Sequence, residues 1–489
     1  MHPDPACFIG IDIGTQGARA VLMDHQGNLL ASGEEGFPLS DDSREEQSPE
    51  DWWKACLFTL RELIRQAGKN AGLTTIKAIA VTSTSGTVIP LDNINRPLHA
   101  ALMYSDKRSQ AEAPRCQETA RQSGQEGFTA FNYSCGLSKM HWFSGAFPEK
   151  ANRIARWVHA ADYITGKLSG CWGISDFTNA LKSGYDLKNE LWPAYIVEKL
   201  SLKQEWLPKI VPSGTPIGVL FPGLAANLGL PEGISVTAGM TDGCASQVAS
   251  GAVSPGTWNT TIGTTLVVKG VTRQSLNDPE GRFYSHRHPD GYWMPGGASN
   301  TGADWVQEFS GKQDLDLLDT AASSMLPGSH LAWPLRQEGE RFPFIAPQAR
   351  GFIPDGLTLN EAFLANLEGV AYLERYAFEL AETLSRDRIT AIYSAGGGSS
   401  SDAWLTIRSN VLNKPILLMQ QVSGAAGAAI LAASRTHFQS LEEAARAMTQ
   451  TSRKIHPAPE LAAFYDQQYQ LFIALLNEKG YIHPQRNHA

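Results

Sequence analysis

Two carboxylates sit where the surrounding residues give them something to do. Asp12 interrupts the apolar run Phe8–Ile13, just ahead of a Gly14-Thr15 turn. A carboxylate inside such a run is costly unless it is solvated, paired or near a cation. At this position it would point towards any phosphate held by the turn and could hold Mg²⁺ through water. The alternative is a hairpin Asp that caps local N–H groups. Asp242 falls between a short apolar run, Ile234–Ala238, and a stretch of small residues reaching Ala249. It suits a helix N-cap, and equally a general base that takes a proton from an attacking hydroxyl, a role that contributes ~10²–10⁴ in rate. Two acids facing one phosphate would need a cation between them.

The turn beside Asp12 has a counterpart. Ile-Gly-Thr occurs as Ile13-Gly14-Thr15 and again as Ile262-Gly263-Thr264, each time between apolar runs that read as the arms of a β-hairpin. Gly permits the tight turn and lets backbone N–H groups approach a ligand, while Thr adds a hydroxyl donor. One such hairpin is explained equally well as a structural turn. Two in matching context point to two halves of a molecule that hold a polyphosphate. Gly396-Gly397-Gly398, followed by Ser399–Asp402 and a helix, would let a nucleotide approach the backbone and set a helix N-terminus near an anion. Flexible turns use the same residues. A P-loop is excluded, because Gly68-Lys69, Gly166-Lys167 and Gly311-Lys312 all lack the upstream Gly and the following Ser/Thr. His286 and His288 alternate along a strand and read as partly exposed positions rather than metal ligands.

These residues need strands and helices to position them. Ser48-Pro49-Glu50-Asp51 opens a helix, with Ser as N-cap and Pro at its first position. Its apolar face runs through Trp52, Cys56, Leu60, Leu63 and Ile64, and the pair Trp52-Trp53 reads as core. Strands are expected at Ile76–Thr82, Val88–Leu91, Ile234–Ala238, Thr390–Ala395 and Pro415–Met419. Leu359–Leu384 carries the longest helical pattern, and Gly424–Ala433 a helix of small residues able to pack closely. Strand, Gly-rich turn and helix in repeated order mean an α/β fold. At 489 residues the chain calls for two domains, 1–250 and 251–489, joined near Gly251 and Ser254-Pro255-Gly256. A net charge of −8 with scattered Lys and Arg argues against a nucleic-acid partner. No uncharged run approaches the ~18–20 residues that span a bilayer, so no membrane partner is expected. Six cysteines without a C-x-x-C spacing, and a start with no basic stretch ahead of an apolar run, fit a cytoplasmic protein with reduced thiols.

In this order the pieces resemble the FGGY carbohydrate kinase family over nearly the whole chain, within the actin/hexokinase/Hsp70 group of ATP-clasping folds. Asp12-Ile-Gly-Thr-Gln-Gly-Ala-Arg19 looks like that family's first phosphate loop and Ile262-Gly-Thr-Thr265 like its second. Asp242, in Ala238-Gly-Met-Thr-Asp-Gly243, falls at the catalytic base. Gly302, Gly339–Pro343, Glu368–Ala371 and Gly396–Asp402 match further blocks, the last forming the adenosine pocket. The resemblance implies an α/β fold with two actin/hexokinase-like (ribonuclease H-like) domains flanking a central nucleotide and sugar cleft. It implies ATP and Mg²⁺ as cofactors, a small sugar as substrate, and Asp12 and Asp242 near the metal through water. Asp12, Ser83, Ser85, Asp106 and Asp242 are the implied sugar contacts. Thr15, Gln16, Arg19, Gly263, Thr264, Thr265, Gly302, Gly397, Gly398 and Asp402 are the implied nucleotide contacts. A homodimer is compatible with this resemblance, although no residue specifies it.

A narrower likeness concerns the sugar. Ser83–Thr87, Ala101–Arg108, Ser175–Asp186, Tyr284–Arg287 and Gly296–Gly302 look like the plant and cyanobacterial D-ribulokinase branch, long labelled xylulokinase-like. Typical xylulokinases have Gln-Met-His where this chain has Thr84-Ser85-Gly86, and the Arg-Glu pair of glycerol kinases is missing there too. Two departures stand out: Val422, where relatives usually have Glu, and Gly136, where Pro, Ser or Thr is usual before Lys139. The expectation is a kinase that converts D-ribulose to D-ribulose 5-phosphate. D-xylulose is the alternative sugar, and a non-enzymatic ATP clamp or sugar sensor the alternative class.

Overall fold

Branched and small apolar residues make Cys7–Ile13 a strand (β1), and the turn at 14–16 folds the chain back as β2 (Gly17–Asp24), with Asp12 opposite Arg19. This computed structural model describes residues 6–68, 73–125 and 127–482; the amino-terminal stretch noted above lies in part outside them. β3 (Leu29–Gly36) continues the antiparallel meander. Helix α1 (Pro49–Ala67) starts as its residues dictate: Ser48 Oγ accepts the Asp51 N–H, Pro49 fills the first position, and Gly68 ends it at φ +58°. β4 (Ile76–Ser83) then lies parallel to β1, with Asp12 beside Thr82 and Ile13 beside Ser83. β5 (Pro216–Val219), β6 (Ser235–Thr237) and β7 (Met240–Thr241) complete a seven-stranded sheet in the order β5-β6-β4-β1-β2-β3, with β7 also on β4. Helix α2 (Asp242–Ala249) leaves the end of β7.

A second seven-stranded sheet repeats the plan. β8 (Thr257–Ile262) and β9 (Leu266–Gly270) form the second hairpin, followed by β10 (Tyr284–Arg287) and β11 (Trp293–Ala298). The long helix α3 (Leu359–Ser385), β12 (Ala391–Ala395), helix α4 (Asp402–Leu412) and β13 (Ile416–Met419) come next. After helix α5 (Gly424–Ala433), β14 (Thr451–Ile455) closes the order β10-β11-β9-β8-β12-β13-β14. In each sheet a hairpin has an antiparallel neighbour on one side (β3 or β11) and two parallel strands on the other (β4 and β6, or β12 and β13).

The chain forms two compact units. The first holds residues up to Gly251 together with His286–Gly291 and Gln421–Gln450, and the second holds the rest. A single cut at 250 therefore leaves out two segments that belong to the first unit. Helix α5 is one of them, and its composition explains why it fits: it packs on β1, β4 and α2 with backbone against backbone. A Cβ on Gly10 would lie 1.9 Å from the Ala425 carbonyl oxygen, and one on Gly427 1.9 Å from that of Ala245. The other segment is anchored by Arg435, which donates to the Pro289 carbonyl at 2.6 Å, and by Asp290, which accepts the Leu441 N–H at 2.9 Å. His286 and His288, expected to be partly exposed, are 4% and 0% exposed.

The core of the first unit gathers Ile9, Ile11, Ile79, Val81, Trp52 and Leu60. That of the second gathers Trp258, Ile262, Trp305, Leu367 and Trp404. Each such side chain contributes roughly 1.5–3 kcal/mol by leaving water. Among the described residues no helix is long and apolar enough to cross a membrane.

Candidate active site

β1 and β7 lie on either side of β4, both parallel to it, so all three end at the same edge of the sheet. In open α/β sheets this carboxyl edge is where ligands bind. Asp12 stands next to last in β1, and Asp242 follows β7 as the first residue of α2. The two therefore line one cavity of about 450 Å³, together with Thr15, Gln16, Arg19, Thr84, Tyr104 and Ser246. Asp242 Oδ1 accepts the Gly243 N–H at 2.6 Å, and the positive end of the α2 dipole faces the same space. Asp12 Oδ1 is enclosed and accepts no hydrogen bond from the described residues. Burial, and then the negative charge of Asp242, push the Asp12 carboxyl up to about 7, with Arg19 acting in the opposite sense. Helix α5 begins directly against this group, since a Cβ on Gly424 would sit 2.7 Å from Asp12 Oδ2.

The supports of the site come from several elements. In the first turn the Gly14 N–H donates to Gly17 O at 3.0 Å, the Phe37 N–H to Gln16 O at 2.9 Å, and Gln47 Nε2 to Thr15 O at 2.9 Å. Behind Asp242, Thr82 Oγ1 donates to Met240 O at 2.9 Å, and the Thr241 N–H donates to Thr178 Oγ1 at 2.8 Å. Thr178 Oγ1 in turn donates a hydrogen bond to Asp176 Oδ1 at 2.7 Å, and buried Asp176 also accepts from Asn179 Nδ2 at 2.6 Å and Ser213 Oγ at 3.1 Å.

Ser83 ends β4 and Ser85 follows two residues on, flanking Thr84 on the cavity wall. The hydroxyl oxygens of both serines are enclosed and have no partner among the described residues. Gly86 adopts φ +86°, and a Cβ there would lie 2.1 Å from Ser134 O, so only glycine fits. Asp106 does not line this cavity. It is buried and gripped by Arg108 through Nε (3.0 Å) and Nη2 (2.8 Å); the same guanidinium meets Glu46 at 2.7 Å and lies 4.7 Å from the Trp142 ring centroid. Lys139 is buried nearby, donating to Tyr133 O, and burial lowers its ammonium to about 7.

In the second unit, the turn at 263–265 is backed by the loop at 299–303. Ala303 N–H donates to Gly263 O at 2.8 Å and Leu266 N–H to Thr301 O at 2.9 Å. A Cβ on Gly302 would fall 2.4 Å from Thr264 O, so this glycine allows the two backbones to touch. Buried Glu340 holds the loop by accepting from Ser299 Oγ (2.7 Å), Thr301 Oγ1 (2.9 Å) and the Asn300 N–H (2.7 Å). Gly396 and Gly398 press on Ile262 at the end of β8, whereas Gly397 faces open space. Gly263, Thr264, Thr265, Gly302, Gly397 and Gly398 are thus brought together.

The N-terminus of α4 differs from the expectation of an open anion site. Asp319 Oδ2 accepts the Asp402 and Ala403 N–H groups at 3.0 and 3.4 Å, and Ser401 Oγ accepts that of Trp404. Asp402 itself pairs with Arg453 at 2.5 Å. A larger cavity of about 640 Å³ in this unit is walled by Phe344, Pro347, Tyr376 and Leu380 and includes none of the residues above.

Gln47 and Ser246 carried no sequence signal that tied them to this chemistry; Tyr104 lay unremarked within the quoted stretch Ala101–Arg108, and Lys139 entered only as the residue that follows a departure at Gly136. Asp176 and Thr178 lay within the quoted stretch Ser175–Asp186, and their part in holding Asp242 emerges only from the fold.

This combination of a duplicated sheet, two Gly-Thr turns and a pair of acids at a strand edge defines a class of phosphotransferases. Residues 7–249 match the N-terminal domain of the FGGY family of carbohydrate kinases and residues 252–435 its C-terminal domain; the chain belongs to that family. It is a carbohydrate kinase, a phosphotransferase with an alcohol group as acceptor. A xylulose kinase of Bacillus subtilis is 26% identical over 490 residues, covering 95% of each chain. A gluconokinase of the same organism is 27% identical, covering 96% of this chain and 95% of its own. The crystal structure of a xylulose kinase from Rhodospirillum rubrum superposes with a TM-score of 0.84 at 25% identity, over 96% of this chain and 98% of that one. Plasmodium falciparum glycerol kinase with ADP shares the fold at a TM-score of 0.81 and 16% identity, over 96% and 98% of the two chains.

Proposed function

We propose that this kinase transfers the terminal phosphate of ATP to a ketopentose, converting D-ribulose to D-ribulose 5-phosphate. The observation that carries the reading is the presence of Asp12, Asp242 and the Gly14–Gly17 turn around one cavity, with two unpartnered serine hydroxyls flanking Thr84 on its wall. Asp242 takes the proton of the sugar O5 as that oxygen bonds to the terminal phosphorus and the bond from phosphorus to the bridging oxygen breaks, leaving ADP. The transition state is loose, so alignment and charge compensation do most of the work. Thr15, Gln16 and Arg19 contribute nucleotide contacts. Gly263, Thr264, Thr265, Gly302, Gly397 and Gly398 contribute others, with Asp402 joining through its pair with Arg453.

Enclosed, unpartnered Asp12 Oδ1 beside Asp242 fits a divalent cation bound through water, as Mg²⁺ commonly is. When bound, that ion would offset the charge of the phosphates.

Thr84-Ser85-Gly86 supports D-ribulose, because the constricted Gly86 leaves no place for the Met-His clamp of typical xylulokinases. Asp106, held by Arg108 and absent from the cavity wall, has no part in this reading of the sugar site. D-xylulose is the second reading, favoured by the names of several relatives. A coupled ADP-release assay with D-ribulose, D-xylulose, gluconate and glycerol, against an ATP-only control, tests both. Fastest turnover on D-ribulose is expected; a clear preference for another acceptor would replace this assignment.

A further inference from the structure

Gln47 is 8% exposed and spans the space behind the first turn. Its Nε2 donates to Thr15 O at 2.9 Å and to Ser43 O at 3.1 Å, and its Oε1 accepts from Trp52 Nε1 at 2.8 Å. The orientation of the amide is chemically determined. An indole N–H can only donate, so it must face the amide oxygen, which leaves the NH₂ for the Thr15 carbonyl. Trp52 is 1% exposed within the core and provides a fixed reference for that orientation. A trans peptide points its C=O and N–H in opposite directions. Holding Thr15 O towards Gln47 therefore aims the Gln16 N–H away from Gln47; Thr15 and Gln16 stand between a cavity on the Gln47 side and the cavity that contains Asp12 and Asp242, which Gln47 does not line.

We infer that Gln47, oriented by Trp52, is a positioning residue that prevents the peptide between Thr15 and Gln16 from flipping. In the flipped state a carbonyl dipole would replace the N–H facing the anion. Among the described residues Thr15 O accepts one hydrogen bond, that of Gln47 Nε2, so the lock resides in this one side chain. The inference rests on the reading that this turn carries nucleotide phosphate, and it adds a part of the machinery contributed from outside the turn.

The test is calorimetric titration of the full chain with Mg·ATP and, separately, with adenosine, for wild type, Gln47→Met and Trp52→Phe. Met preserves length and bulk but cannot donate. Gln47→Met is expected to weaken ATP by about ten-fold, the scale seen when an orienting partner of a binding group is removed. Adenosine affinity should stay unchanged, and Trp52→Phe should weaken ATP in the same direction but less. ATP affinity equal to wild type in Gln47→Met would overturn the role, and so would equal losses for ATP and adenosine, which mean general damage. Wild type that binds no ATP overturns it as well. Wild type that binds ATP but shows no ketose-stimulated ADP release removes the proposed activity and leaves the Gln47 comparison standing.

Discussion

Asp12, in β1, and Asp242, directly after β7, end up at one sheet edge with only β4 between their strands, and the charge of Asp242 adds to burial in raising the Asp12 carboxyl to about 7. The ordinary value for this side chain is 3.8. Between those two points the folded protein holds a proton that the unfolded chain has released. Stability associated with Asp12 is therefore complete below about pH 4 and is lost as pH rises towards about 7. Asp12→Asn is neutral throughout. Its melting temperature should exceed that of wild type by an amount that is small near pH 4, grows with pH, and levels off above about pH 7. A difference that does not vary with pH would mean that Asp12 is ionised across the range.

Removing the base should separate chemistry from binding. Asp242→Ala is expected to lose ~10² or more in turnover while still binding nucleotide. Steady-state assays and ATP titrations on the same preparation check both halves, and unchanged turnover would end the assignment of the base.

Thr178 receives the Thr241 N–H directly ahead of Asp242 and is itself fixed by Asp176. Thr178→Val keeps the shape but leaves a buried N–H unsatisfied, which costs about 1–3 kcal/mol. It should lower kcat as well as the melting temperature, because the base loses its alignment. Thr178→Ser restores the acceptor and should recover kcat. A Ser variant as slow as the Val variant would point to lost packing instead.

Ser85 has an enclosed hydroxyl without a partner among the described residues. In the free protein Ser85→Ala relieves an unmet polar group, so stability should hold or rise slightly. Sugar discrimination should change, because a site built to hydrogen-bond a hydroxyl separates epimers by leaving a group unpaired. The ratio of kcat/KM for D-ribulose to that for D-xylulose is the measure; an unaltered ratio would place the Ser-rich turn outside sugar contact.

Features determined by near neighbours were legible in the sequence. Both hairpins, the Ser48–Pro49 start of α1 and the bounds of α5 follow from local patterns of apolar residues, caps and glycines. Features that depend on a remote partner were not. The N-terminus of α4 looked open to an anion because nothing nearby indicated that Asp319 would reach it. Asp106 looked available to a sugar, yet Arg108 holds it and is itself held by Glu46 from another part of the chain. Gln47 is an unremarkable glutamine until the fold brings it beneath Thr15. His286 and His288 are buried where strand alternation alone suggested partial exposure.

Helix α5 has an implication for how the molecule is made. The face of the first sheet that it covers, including the backbone of Gly10, waits for residues synthesised after those of nearly the entire second sheet. Until the ribosome has passed Ala433, that surface is bare and exposed to unwanted association, as incomplete folds generally are. A gene truncated at Gly251 should accordingly yield an aggregation-prone product rather than a usable half-enzyme.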